Sequence, residues 1–256
     1  MDKNTVYNKV LACLICGAMG DALGYEVEFD FISGIKARFG ERGITKPYVT
    51  GSEPAVFSDD TQMTFFTMEG LLNYLNDPHT LSLTEQIYES YLNWLCTQGK
   101  GEGGRYASKS YLLKDKRLYN RRAPGTTCMS ALSSGEMGLI ANPLNYSKGC
   151  GGVMRISPLG FVALDQTSAV AGAEAAAITH GHPLGYIPAA MLSDMVYRMI
   201  YGEDKKLEDI IRESLKTVKD LYGQNPSFER FEDLITLAVR LAYSDKSDLS
   251  CIQILG

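Results

Sequence analysis

Apolar residues recur along this chain at helical spacing, and no sustained strand-like alternation interrupts them. Residues 83–96 place Ile87, Tyr91, Trp94 and Leu95 on one side, and Ser82 with Glu85 forms a capping-box start. Residues 207–221 put Leu207, Ile210, Ile211, Leu215, Val218 and Leu221 on one stripe, stopped by Gly223. Residues 228–242 repeat that arrangement with Phe228, Phe231, Leu234, Ile235, Ala238, Leu241 and Ala242. Two further runs, 167–178 and 184–201, are rich in Ala, Met and Leu and read as central, mostly buried helices. The pattern predicts an all-α fold of roughly 55–70% helix, well above the average for globular domains. With no linker or repeat in view, residues 1–256 read as one compact domain.

Composition narrows the function classes more than the fold. The chain has 256 residues, 45% hydrophobic and 21% charged, with a net charge of −5. That acidity argues against a partner held by phosphate charge alone, so neither nucleic acid nor an anionic membrane surface is expected. The run Val10–Ile15 is too short for a signal peptide or a membrane span. Six cysteines at 13, 16, 96, 128, 150 and 251 follow no disulfide framework, which predicts a reducing cytoplasm. Cys13 and Cys16 form a CxxC inside an apolar helical run, without the second pair that zinc requires.

The chemistry sits between the helices. Ser58-Asp59-Asp60-Thr61 packs two carboxylates and two hydroxyls into four residues, the hard oxygen donors that Mg²⁺ or Mn²⁺ takes. Upstream, Gly17, Gly20 and Gly24 lie within eight positions of a helical run. Each costs about 1 kcal/mol against alanine, so tight helix packing or approach to a ligand is expected there. Glu28 follows between Val27 and Phe29, an apolar setting that can raise a carboxylate pKa, although a solvated surface Glu is the commoner case. Arg121 to Thr127 reads as a turn through Gly125 into a helix start. Gly149, Gly151 and Gly152 can turn backbone N–H groups toward a phosphate, or they belong to a plain loop. His180 and His182 flank Gly181 before Pro183: zinc ligands, imidazoles against a ligand, or a helix corner with one histidine bonded internally.

Together these segments resemble the ADP-ribosylglycohydrolase family, of the type that includes dinitrogenase-reductase-activating glycohydrolase. GAMGDALGYEVEF, FSDDTQMT, RAPGTT, KGCGGVMRISPLGF and ITHGHPLG occur in the family's order, from about residue 9 onward. The resemblance implies an all-α fold whose cleft holds two divalent ions, Mg²⁺ or Mn²⁺, and removes ADP-ribose from a protein side chain or a related ADP-ribosyl bond. By motif position it implies that Ser58, Asp59 and Asp60 are metal ligands and that Glu28 is the acidic residue beside them. Gly125, Gly149, Gly151, Gly152 and Met154 would line the ADP-ribose site, with His180 and His182 flanking the ligand. These residues are expected to converge on one concave site.

One departure shapes the expectation. Members of this type continue past a Leu-Gly like Leu255-Gly256 into a further helix and a Gly-Asp-Ser-Asp-Thr segment, which supplies the remaining metal carboxylates. Asp245 and Asp248 read as a polar interhelical loop instead. A C-terminally truncated member is therefore expected: at most one weakly bound ion, slow hydrolysis, and self-association through exposed apolar surface. The alternative is a catalytically impaired ADP-ribose-binding member of the same fold.

Overall fold

The computed structural model describes residues 2–45, 55–202 and 205–255; Gly256, half of the Leu-Gly pair, lies outside them. The chain is 65% helical, and the described residues form ten α-helices and no strand, so the all-α expectation holds. Packing divides the chain into two units, Met1–Met137 and Gly138–Gly256.

The first unit contains α1 (Lys3–Tyr25), α2 (Ile32–Phe39), α3 (Asp59–Asn76), α4 (Leu83–Thr97) and α5 (Thr126–Ser133). Its core is the α3–α4 pair. Ile87, Tyr91, Trp94 and Leu95 of α4 are all buried, as the spacing predicts, and the Ser82–Glu85 capping box is made. Gly70 lets the two helices touch, because a Cβ there would lie 2.7 Å from the Ile87 Cα. Several polar groups trapped between them are bonded, while Gln86 Oε1 and Gln98 Oε1 are buried without a partner among the described residues. Gln62 accepts from the Trp94 indole and the Gln98 amide, and donates to the Asn120 carbonyl.

Helix α1 behaves differently. None of its residues is buried, and Tyr7, Leu11, Ile15 and Met19 leave an exposed apolar stripe at i+4 spacing. No neighbouring atom lies within 4 Å of a Cβ built on Gly17, Gly20 or Gly24. The tight packing expected of these glycines is therefore not seen among the described residues. The helix also outruns the Val10–Ile15 stretch, and by length and composition it is long and apolar enough to cross a membrane. Its C-terminal half is tied to α3, as described below.

The second unit contains α6 (Ser168–Ala177), α7 (Pro183–Tyr201), α8 (Leu207–Tyr222), α9 (Phe228–Ala242) and α10 (Asp248–Leu255). Its centre is α6 against α7, built by small residues: Ala169, Ala173, Ala176, Ala189 and Ala190 are fully buried. At Gly172 a Cβ would meet the Ala189 carbonyl at 2.7 Å. Thr167 caps α6, and Pro183 sits in the first turn of α7, where its missing N–H costs nothing. Arg198, held by Asp194 of its own helix, ties α7 to α8 through Glu213 and Thr217.

Candidate active site

In the first unit the acidic motif opens α3. Ser58 is the N-cap, and its hydroxyl accepts from the Asp60 N–H at 3.1 Å. Asp59 and Asp60 occupy the first turn, where the helix dipole favours negative charge. Two segments hold them. The Gly125 N–H donates to Asp59 Oδ2 at 3.1 Å, while the Asp59 N–H donates to the Arg122 carbonyl at 3.0 Å. Arg122 in turn donates to the Phe57 carbonyl and stacks on the Phe57 ring. The Arg-Ala-Pro-Gly turn is thus a buttress for the aspartates, and Gly125 takes part through its backbone.

From the other side comes Asp21 of α1, a residue with no role assigned in the sequence analysis. Its carboxylate accepts from the Ser58 N–H at 3.0 and 2.9 Å, from the Thr61 N–H at 3.1 Å, and from the Thr61 hydroxyl at 2.6 Å. Asp21 therefore satisfies donors of the α3 N-terminus that have no partner within the helix. Tyr25 stands in the field of Asp21, Glu28 and Asp59. The signal for these residues was present: 21, 25 and 28 are spaced i, i+4, i+7, one face of a helix continued into the following turn.

The electrostatics follow from this crowding. Burial pushes the Asp59 carboxyl up to about 7; the Gly125 hydrogen bond opposes the rise, and the Asp60 and Glu28 charges add to it. Burial again, then Asp21 and Glu28, push Asp60 up to about 6. Glu28 is also raised, by partial desolvation and by Asp21. Its sequence neighbours do not enclose it, however: Glu28 is exposed and Phe29 is 77% exposed.

A hard divalent cation suits this donor chemistry, because carboxylate repulsion is what such an ion relieves. Ser58, Asp59 and Asp60 could hold it, with Glu28 alongside. Among the described residues no three His, Cys, Asp or Glu side chains are grouped as a ready-made metal cage.

In the second unit the glycine-rich loop and the histidines meet. Cys150–Gly152 forms a single 3₁₀ turn carrying Gly151, and half-buried Met154 follows it. Gly152 is a packing residue: a Cβ there would lie 2.8 Å from the Gly185 carbonyl and 3.0 Å from the Ala176 Cβ. Gly149 is exposed, and a side chain there would begin 3.3 Å from the His180 Nε2. His180 is buried beside the loop, and burial, then Arg155, hold its pKa down to about 4. His182 caps α7, its Nδ1 accepting the Leu184 N–H at 2.9 Å. Its pKa is lowered by burial and by Lys148. Of the readings open for the His-Gly-His segment, the described residues form the helix corner with internally bonded histidines: His182 caps α7 and His180 Nδ1 bonds the Thr179 hydroxyl. Asn145 fixes the segment by donating to the Thr179 carbonyl and accepting from Ser147 and Gly181.

No curated protein matches the chain. A family model described as ADP-ribosylglycohydrolase matches residues 2–253, and the chain belongs to the ADP-ribosylglycohydrolase family.

Proposed function

We propose that this protein hydrolyses the bond between ADP-ribose and a protein side chain, or a related ADP-ribosyl bond, with the help of Mg²⁺ or Mn²⁺. The observation that carries this reading is the pair Asp59–Asp60, desolvated side by side at a helix start and raised to about 7 and about 6. The helix dipole accounts for negative charge at this end but not for its desolvation, and perturbed carboxylates of this kind concentrate at functional sites.

Ser58, Asp59 and Asp60 would hold the ion, and when bound it supplies Lewis acidity toward ribose hydroxyls and water. The positive charge would also keep both aspartates ionised at neutral pH. The Gly125 N–H leaves Asp59 oriented, with its second oxygen available. Glu28, exposed and with a raised pKa, is suited to take the proton of the attacking water. That water adds to the anomeric carbon of the ribose, the glycosidic bond breaks, and the leaving group recovers a proton. The carboxylates stabilise the positive charge that develops on the ribose. Gly149, Gly151 and Gly152, with Met154, His180 and His182, would contact ADP-ribose, as the family resemblance implies.

A second reading is a protein of the same family that binds ADP-ribose with little turnover. It is favoured by the lack of a three-residue metal cage among the described residues. One experiment separates the two: release of ADP-ribose from ADP-ribosylated arginine and serine substrates, with and without Mg²⁺, on the parent chain and Asp59→Asn. Mg²⁺-dependent release that the variant loses supports hydrolysis. Calorimetric binding of ADP-ribose without release supports the second reading, and neither release nor binding would sink both.

A further inference from the structure

Arg155 is a guanidinium with no exposed surface, set in the segment that follows the glycine-rich loop. Its Nη2 donates to the Thr179 hydroxyl at 2.7 Å and to the Ala175 carbonyl at 3.3 Å. The same Thr179 hydroxyl lies 2.8 Å from the His180 Nδ1. These three side chains form a chain of hydrogen bonds, and elementary donor–acceptor rules give it a direction.

A guanidinium only donates, so Thr179 Oγ1 must accept from Arg155. The hydroxyl keeps one proton to give, and among the described residues the partner it has left is His180 Nδ1. If Nδ1 carried the proton instead, the hydroxyl proton would be stranded at a residue only 1% exposed, an outcome buried polar groups avoid. Nδ1 is therefore the acceptor, and the imidazole proton belongs on Nε2. Burial of the ring and then the neighbouring Arg155 charge oppose a second proton, which keeps the imidazole neutral. His182 arrives at the same tautomer by a different route, because its Nδ1 accepts the Leu184 N–H.

We propose that Arg155 and Thr179 are positioning residues that lock His180 with its proton on Nε2, so that the ring offers a neutral N–H donor to an acceptor oxygen of a ligand at the Gly149–Gly152 loop. Gly149 completes the device, since a side chain at that position would begin 3.3 Å from Nε2 and cover it. Assigning that ligand as ADP-ribose rests on the function proposed above.

The test is a long-range ¹H–¹⁵N correlation on protein with labelled histidines, paired with ADP-ribose titration of the same samples. At neutral pH the His180 signals should show a bare Nδ1 and a protonated Nε2. Thr179→Val should mix the two tautomers and weaken ADP-ribose about tenfold, the scale of one directed hydrogen bond. Thr179→Ser should restore both readouts. Gly149→Ala should leave the tautomer as it is and still weaken binding. A protonated Nδ1 in the parent would overturn the proposal, as would Thr179→Val binding ADP-ribose as tightly as the parent. If the parent binds no ADP-ribose while His180 shows the expected tautomer, the ligand assignment falls and the lock by Arg155 and Thr179 stands.

Discussion

The acidic start of α3 and the glycine–histidine loop solve opposite electrostatic problems. Around Asp59 and Asp60 like charges are crowded and desolvated, and their pKa values rise to about 7 and about 6. Around His180 a chain of hydrogen bonds links Arg155 to the Thr179 hydroxyl and that hydroxyl to Nδ1, while burial and then the Arg155 charge hold the ring's pKa down to about 4. The first cluster stores repulsion that a cation or a proton relieves. The second stores order, because its donors and acceptors are matched before any ligand arrives. A family of hydrolases needs both kinds of region: one that responds to charge, one that holds shape.

The largest effect expected from breaking this contrast is on turnover. Asp59→Asn should lower Mg²⁺-dependent ADP-ribose release on the order of 10²- to 10⁴-fold, as loss of a catalytic proton or charge group does. The same substitution should raise the melting temperature of the metal-free protein at pH 8, because it removes a buried carboxylate from a repulsive cluster. A variant that is less stable and equally active would contradict the strained reading of this cluster.

The pH dependence of stability sharpens the same point. A carboxyl group whose pKa is raised by folding keeps its proton where the unfolded chain gives it up. Its stabilising contribution is present below about pH 4 and is lost as the pH climbs through the folded value. For Asp59 and Asp60 that window runs from about 4 to about 7. Thermal melts of metal-free protein should therefore show falling stability between pH 5 and pH 8, flattened in Asp59→Asn. Added Mg²⁺ should raise the melting temperature more at pH 8 than at pH 5. A flat or rising metal-free profile would refute the shifts.

Smaller effects distinguish packing from capping. Gly152→Ala should cost about 1–3 kcal/mol, since its Cβ would press on the Gly185 carbonyl at 2.8 Å. Chemical denaturation reads this directly. Gly17→Ala should act in reverse and stabilise by up to about 1 kcal/mol, because nothing lies within 4 Å and alanine is the better helix former. Between these lies Asp21→Ala, which removes the acceptor for Ser58 and Thr61 and should cost about 1–2 kcal/mol. Asp21→Ala and Asp59→Asn should thus move stability in opposite directions. A common sign would show that the two aspartates share a single role.

Much of the helical architecture was legible in the sequence because it depends on local chemistry. The periodicity of residues 228–242 predicts a helix, and α9 has those bounds; the Ser82–Glu85 box and the Gly223 stop are also formed. Periodicity of 3.6, capping residues and prolines are properties of neighbouring positions, so they survive without knowledge of the fold. The motifs were also enough to indicate the family.

Tertiary structure alone decided what each motif residue does. The sequence points to tight packing at Gly17 and to a loop at Gly152, yet Gly17 faces open space and Gly152 is wedged between a carbonyl and a methyl group. His180 and His182 are two residues apart, yet one joins a buried hydrogen-bond chain and the other caps a helix. The spacing of Asp21 with Tyr25 and Glu28 is in the sequence, but what its carboxylate holds follows only from α1 meeting the start of α3, thirty-seven positions later. The physical reason is common to all three. Donor, acceptor and void are defined by atoms brought together across the chain, and the sequence specifies the side chains without stating which of them will meet.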